Sequence, residues 1–540
     1  MKTVKIAAAL AVGVTLFATA GCTSAQVIEP VADGTLNWGI EGANLTDGKM
    51  DPHSSQLDVT AYVTRQTLDS LVYMNETGEI VPWLASSWKV STDGKSYTFT
   101  LRSDVTFSDG TAFNASAVKA NFDHIMAEST ESAQASSLLG GELYVATEVI
   151  DESTVLVRFS EPFAPFLANA STAYLGMYSP AVLASSADKL KAGGPNITVG
   201  SGPFVMDELV ANDHISYTRN PDYKWAPQGF KPTSKAIKSL NIEIVPEAQV
   251  RKKSVESGEL DVATGLTPNV LESASDKITV TTTASPGLPY SLFLNQTNGV
   301  FADPHVREAF ALGIDISAAV ETVYFGKFDR AWSILTPTTP NSYDETLESQ
   351  QKFDQAQADT LLDEAGWSKK NKDGYRTKDG KILEVTWYSW TPISEEHKNL
   401  AAFFADDLKK IGVKLTHKVV EPADYMEAYQ SGSFDITDWD FVSADADILR
   451  SHLHSEGYQN ASHVSDEKLD VMLEKAAAAT DPAARADLYK QIQQWNAKNL
   501  AILPIYSASF ITAQAPSAMK VKYDLFGWPI FIEAESSHTK

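Results

Sequence analysis

Apolar positions between Trp88 and Ile125 change their period twice within forty residues, and each change marks an element. Trp88 and Val90 alternate with polar neighbours up to Asp93-Gly94, and Tyr97, Phe99 and Leu101 alternate beyond it. This spacing predicts a β-hairpin with one buried face, turned by a residue pair that tolerates positive φ. Val105 and Phe107 continue the strand pattern to a second turn at Asp109-Gly110. Asn114 then stands where an N-cap belongs, with Val118, Phe122 and Ile125 at helical spacing behind it. Phe113 and Val118 occupy the positions of a hydrophobic staple.

The same grammar recurs further on. Asp303 and Pro304 predict a helix start, with Val306, Phe310 and Gly313 on one face. Asp354 caps a second helix carrying Leu361, Leu362 and Ala365, and Gly366 stops it. Asp373-Gly374 and Asp379-Gly380 predict hairpin turns before a strand at Leu383 to Trp390, and 406–415 reads as helix, glycine stop and strand. Strand and helix signals thus alternate through the chain, which predicts an α/β fold.

The first 21 residues follow a different rule. Lys2 and Lys5 precede an apolar stretch from Ile6 to Phe17, too short to span a bilayer but suited to the apolar region of a signal peptide that is removed. No other segment approaches the ~20 apolar residues of a spanning helix. Cys22 is the only cysteine, so no disulfide can form within one chain.

A chain of 540 residues is too long for one core, which predicts two or three domains. The formal charge is -25, from 44 Lys+Arg against 69 Asp+Glu; losing Lys2 and Lys5 takes it to 42 minus 69, or -27. Such a surface repels phosphate backbones and modestly favours cationic solutes, so nucleic acid is excluded as a partner. There is no GxSxG, HExxH or CxxC sequence, and Gly374 to Lys381 misses the phosphate-loop spacing. Asp438 and Asp440 leave a glycosidase-like carboxylate pair open, making a secreted hydrolase the rival from another class.

The exact residues of the block from 84 to 125, LASSWKVSTDGKSYTFTLRSDVTFSDGTAFNASAVKANFDHI, resemble the signature of family 5 solute-binding proteins. These are extracytoplasmic receptors of ABC importers for peptides, nickel chelates and related solutes. The resemblance continues through VGSGPF at 199–204, TRNPDY at 218–223, GELD at 258–261, FADPHVREAFALGID at 301–315 and the helix from Phe353 to Trp367. It covers about residues 48 to 510.

The resemblance implies a two-lobed α/β clamp of the periplasmic-binding-protein type (class II) with an extra inserted domain. Lobe I is then expected at 34–60, 198–285 and 508–540, the inserted domain at 61–197 and lobe II at 286–507. Ligand binds between the lobes, and closure hides it from water and presents it to a permease. Ala20 and Gly21 before Cys22 resemble a lipobox, although Thr19 departs from the usual leucine. That implies a lipid anchor on Cys22, a leash over 22–33 and an extracytoplasmic, membrane-tethered monomer without cofactor or metal. Stable anchoring needs more than one acyl chain, which a diacylated and N-acylated cysteine supplies.

Ligand contacts are expected on 432–455, GSFDITDWDFVSADADILRSHLHS. Peptide-binding members of the family carry an aspartate three residues after the tryptophan to pair with the α-ammonium; here that position is Val442, and Ala446 replaces a proline. A buried ammonium needs a carboxylate partner. Asp440 or Asp445 supplies it; otherwise a sugar conjugate, an opine or a metal chelate fits as well. Trp439 and Trp390 are expected to line the cleft, with Trp387 in the sheet interior, and Tyr290 and Glu41 are further candidates. His452, His454 and His463 admit a metal reading or a structural one, and Arg450 either a ligand carboxylate or an inter-lobe ion pair.

Overall fold

The computed structural model describes residues 29–538 except 32, 43, 44, 133, 272–274 and 298. The expected signal segment and Cys22 lie outside the described residues, among which no helix is long and apolar enough to cross a membrane.

Two large mixed sheets organise the chain. One has seven strands in the order Thr279–Ala284, Ser509–Gln514, Val262–Ala263, Thr35–Ile40, Ser239–Ile244, His214–Arg219 and Phe204–Val210. At its centre Leu36, Trp38 and Ile40 are fully buried, and the Trp38 indole donates to Thr264 Oγ1 at 3.0 Å. The other has six, in the order Asp329–Arg330, Ile502–Ser507, Gly287–Leu294, Ile436–Val442, Glu384–Trp390 and Lys414–Val420. Its strand Glu384–Trp390 runs parallel to both neighbours, so Leu383, Val385 and Trp387 are buried, Trp387 as expected, under the helix Glu395–Lys410.

The chain passes between the sheets directly at two places, from Ala284 to Gly287 and from Ser507 to Ser509. The crossings are bonded to each other: Ser285 N–H donates to the Ala508 carbonyl at 2.9 Å. Two short antiparallel crossings between separate sheets make a hinge, and the whole is a two-lobed α/β clamp.

A four-stranded antiparallel sheet of Ala85–Val90, Ser96–Leu101, Thr154–Phe159 and Tyr144–Asp151 packs against the helix Ala115–Met126 and shares a core with the first lobe. The hairpin pairs Trp88 with Phe99 and Val90 with Tyr97, and Tyr97, Phe99 and Leu101 are buried. Its outer strand departs from the expected single buried face. Val90 is 40% exposed, because Ala85–Val90 is the sheet edge and has only one neighbour. Val105 and Phe107 are buried, but in an irregular passage whose only ladder contact among the described residues is a bridge from Thr106 to Ala112. Asn114 caps the helix through Ala117 N–H at 3.0 Å, and Asp303 and Asp354 cap theirs in the same way.

Candidate functional site

Between the lobes lies a cavity of about 970 Å³. Asp58, Tyr174, Phe526 and Trp528 line it from one side, Val442 to Asp445, Ile448 and Arg450 from the other, and the loop around Gly140 closes one end. The lobes touch around it. Ala164 N–H donates to the Ala477 carbonyl at 2.8 Å, and the Arg450 guanidinium lies 6.0 Å from the Phe163 ring.

The strand Ile436–Val442 positions the second wall. Successive residues of a strand point to opposite faces, so Asp438, Asp440 and Val442 share one face and Trp439 and Phe441 the other. Asp438 is inside the lobe: Tyr290 Oη and Ser389 Oγ donate to it, the latter at 2.9 Å, and His397 Nε2 lies 2.8 Å away. Burial pushes its carboxyl up, but His397 and these hydrogen bonds outweigh burial and hold it below its usual value. Two residues on, Asp440 is exposed and has no ion-pair partner among the described residues. The surrounding protein raises its pKa, and the negative Asp438 adds to the rise.

Asp58 lines the cavity from the first lobe, at the start of the helix Asp58–Thr64. Its Oδ1 accepts a hydrogen bond from Tyr174 Oη at 3.0 Å. Burial raises its carboxyl to about 6, the tyrosine bond offsets part of the rise, and the Asp440 charge adds to it. Sequence reasoning missed Asp58, Tyr174 and Trp528. No local spacing marks them, because only tertiary folding brings them to the strand Ile436–Val442.

The other expected contacts are dispersed. Trp439 turns into the lobe core, stacked on Phe293 at 4.1 Å and donating to His452 Nε2 at 3.1 Å, so it does not share a wall with Asp440. Asp445 reaches the cavity rim, but both its oxygens are held by Arg485, at 2.8 and 2.6 Å, which removes it as a free ammonium partner. Tyr290 is 7% exposed and stacks on Tyr506 at 4.6 Å, placing its ring in the core as well. Trp390 is 55% exposed, edge-on to Tyr425 at 5.1 Å. Glu41 is exposed just past the strand Thr35–Ile40, with its carboxylate and the Arg251 guanidinium both beside Gly265.

The three histidines do not assemble. His452 is buried, bonds the Ile448 carbonyl through Nδ1 at 2.8 Å and is lowered to about 4 by burial. His454 lies beside Asp470 and Glu474, and His463 packs against Phe434. Among the described residues no group of three or more His, Cys, Asp or Glu is placed to hold a metal ion. Arg450 pairs with Asp447 at 2.8 Å.

The family model for bacterial extracellular solute-binding proteins, family 5 (middle region), matches residues 79–459. Similar proteins include heme-binding protein A of Haemophilus influenzae, 28% identical over 498 residues covering 87% of this chain and 86% of that protein. The nickel-binding periplasmic protein of Escherichia coli is 25% identical over 94% of this chain and 95% of that one. Di/tripeptide-binding protein 1 of Pseudomonas aeruginosa is 26% identical, covering 84% and 86%. Among solved structures, NikA from Brucella suis in complex with Fe(III)-EDTA superposes with a TM-score of 0.80 at 26% identity, over 93% of this chain and all of that one. The dipeptide-binding protein of Pseudoalteromonas sp. SM9913 in complex with Met-Leu shares the fold, with a TM-score of 0.76 at 23% identity over 93% of this chain and 100% of that one. With this match, the two sheets and the cavity between them, the chain belongs to the bacterial extracellular solute-binding proteins of family 5 and is a solute-binding receptor.

Proposed function

We propose that this receptor captures a peptide or peptide-like solute between its lobes and delivers it, unchanged, to the permease of an ABC importer. The observation that carries the reading is the inter-lobe cavity of about 970 Å³, at the roomy end of small-ligand sites and lined by Val442, two residues beyond the exposed Asp440 on the same strand face. The aromatic rings of Tyr174, Phe526 and Trp528 supply apolar wall, and Asp440 meets the solute's ammonium. Trp390 and Glu41 are exposed and contact the solute when it extends beyond the cavity. Relatives named for di/tripeptides support this cargo. Val442 supports a second reading, since an apolar side chain lines the cavity where peptide-binding relatives place an aspartate: a non-peptide solute such as a metal chelate, an opine or a sugar conjugate.

We divide the chain at the hinge crossings, with lobe I at 34–60, 198–285 and 508–540, lobe II at 286–507 and the inserted domain at 61–197. A lipid on Cys22 tethers the monomer to the outer side of the cell membrane. A hydrolase is disfavoured because Asp438 is enclosed by Tyr290, His397 and Ser389 and so does not form an open carboxylate pair with Asp440.

Native mass spectrometry of the full chain extracted from membranes tests both claims at once. The expected spectrum shows a retained amine-bearing solute of peptide mass and acyl chains on Cys22. A retained chelate or sugar conjugate overturns the peptide cargo, and an unmodified Cys22 overturns the anchor.

A further inference from the structure

We propose that the inserted domain is a latch: two of its turns, at Gly78 and Gly94, catch on lobe II beside the cavity and hold the receptor shut through contacts between protein groups alone. The inference goes beyond the choice of cargo, because it assigns part of closure to surfaces that are the same for every solute.

The first catch is the hairpin of strands Val72–Met74 and Ile80–Pro82. Gly78 lies in its turn at φ +79°, and a Cβ built there would meet Pro340 of lobe II, at 2.9 Å from Cβ and 3.0 Å from Cγ. Met74 is buried with Ala168 against Ala444, and Ile80 packs on the same group. Pro340 follows Thr339, whose Oγ1 accepts the Gly287 N–H at the hinge crossing, so this catch bears on the hinge itself. The second catch joins the turn at Gly94 and the segment 162–164 to the junction of helices Glu467–Ala478 and Pro482–Asn499. A Cβ at Gly94 would lie 3.0 Å from Thr480 Cγ2, and Ala164 N–H donates to the Ala477 carbonyl at 2.8 Å. Ala444 of the first catch and Pro162 and Ala477 of the second also line the cavity, so both catches sit at its rim.

The inserted domain shares its core with lobe I and is carried by it. Both catches are therefore made only when the lobes meet, which is the condition for a contact to bias an equilibrium between open and closed states. They gain from apolar burial and from one backbone hydrogen bond, and they read no feature of the cargo. A receptor whose competent state is only partly populated binds every solute more weakly by that fraction. The latch thus sets a factor common to all solutes, and the cavity wall sets the preference among them. Gly78 separates two demands on one residue. The turn needs a residue that tolerates positive φ, which asparagine also does, whereas the missing Cβ is demanded by Pro340.

The test uses that difference. Gly78→Asn tolerates the turn and places a Cβ against Pro340, and Pro340→Gly in the same chain removes the atoms that it meets. The readouts, on the full chain as purified, are the radius of gyration from small-angle scattering and amide hydrogen exchange at two sites. Ala164 reports the other catch, and Val157, in the strand Thr154–Phe159, reports the inserted domain's own sheet. Ala164 is expected to be protected in wild type, to exchange faster by about tenfold in Gly78→Asn with a larger radius, and to recover in Gly78→Asn/Pro340→Gly, while Val157 stays unchanged. Should Val157 also speed up, the domain itself has loosened, and Gly94→Asn with Thr480→Ser as its rescue, which deletes the Cγ2 methyl, is read in the same way. Free exchange at Ala164 in wild type, or an exchange rate and radius that the substitution leaves unmoved, would overturn the latch. So would a loss that the rescue does not reverse, because its cause would then lie within the turn. The cargo is read separately: a retained chelate in place of a peptide removes the peptide reading and leaves the latch standing.

Discussion

Asp445 and Asp440 carry the same charge and differ in what surrounds it. Asp445 is bracketed by the Arg485 guanidinium, whose own side chain is 17% exposed and lies over the Tyr489 ring. Removing one partner of a buried pair strands the other, at a cost of about 3–5 kcal/mol. Asp445→Ala is therefore expected to lower the denaturant midpoint strongly, and an unchanged midpoint would show that Arg485 finds water or another acceptor. Asp440→Ala, with no partner to strand, is expected to leave the midpoint within about 0.5 kcal/mol of wild type and to act on solute affinity alone. Trp439→Ala belongs with Asp445: loss of its packing on Phe293 should cost roughly 2–4 kcal/mol, so weak binding by that variant would report folding rather than contact.

At the scale of elements, the hinge is the most constrained part of the chain. Gly287 opens the strand Gly287–Leu294 with φ +108°, and a Cβ built there would lie 2.4 Å from the Phe441 carbonyl oxygen and 2.6 Å from Ser443 N. Its N–H is also tied to Thr339 Oγ1 at 2.8 Å. Gly287→Ala must push the two strands apart. It is expected to lower stability by about 1–3 kcal/mol and to enlarge the radius of gyration of the solute-loaded receptor; unchanged values of both would remove Gly287 from the hinge. Nothing around Gly287 in the sequence announces this, because Phe441 and Ser443 reach it only through strand pairing. Features whose cause is local were legible: the turn at Asp93-Gly94, the caps Asn114, Asp303 and Asp354, and the buried faces behind them all depend on residues within a few positions. The cleft was legible only in part. The stretch around Trp439 could be found from its resemblance to a family, but which of its neighbours faces solvent depends on strand register. Asp58 depends on a fold that joins distant segments.

Across the whole molecule, buried titratable groups of opposite kinds set the acid response. His53, His124, His417 and His452 are lowered to about 4, chiefly by burial, so each binds a proton more readily when the chain unfolds. Stability from these groups is full above the ordinary histidine value of about 6.5 and is lost as pH falls toward 4. Asp58 is raised to about 6, and Asp69 and Asp524 to about 7, again chiefly by burial, so each holds a proton more tightly when folded. Their contribution has the opposite sign, being lost as pH rises from about 4 toward 7. Near pH 5 the two sets oppose each other, and the net pH slope is smaller than the histidines alone would give. Asp69 is the cleanest member to remove, since Ser201 Oγ and Trp225 Nε1 reach one of its oxygens and the other has no partner among the described residues. Asp69→Asn keeps the shape and deletes the titration. Its unfolding free energy should match wild type near pH 4 and exceed it progressively up to pH 7, by about 1.4 kcal/mol per pH unit for one proton. A difference that stayed constant with pH in urea unfolding would mean that Asp69 is not protonated in the folded receptor.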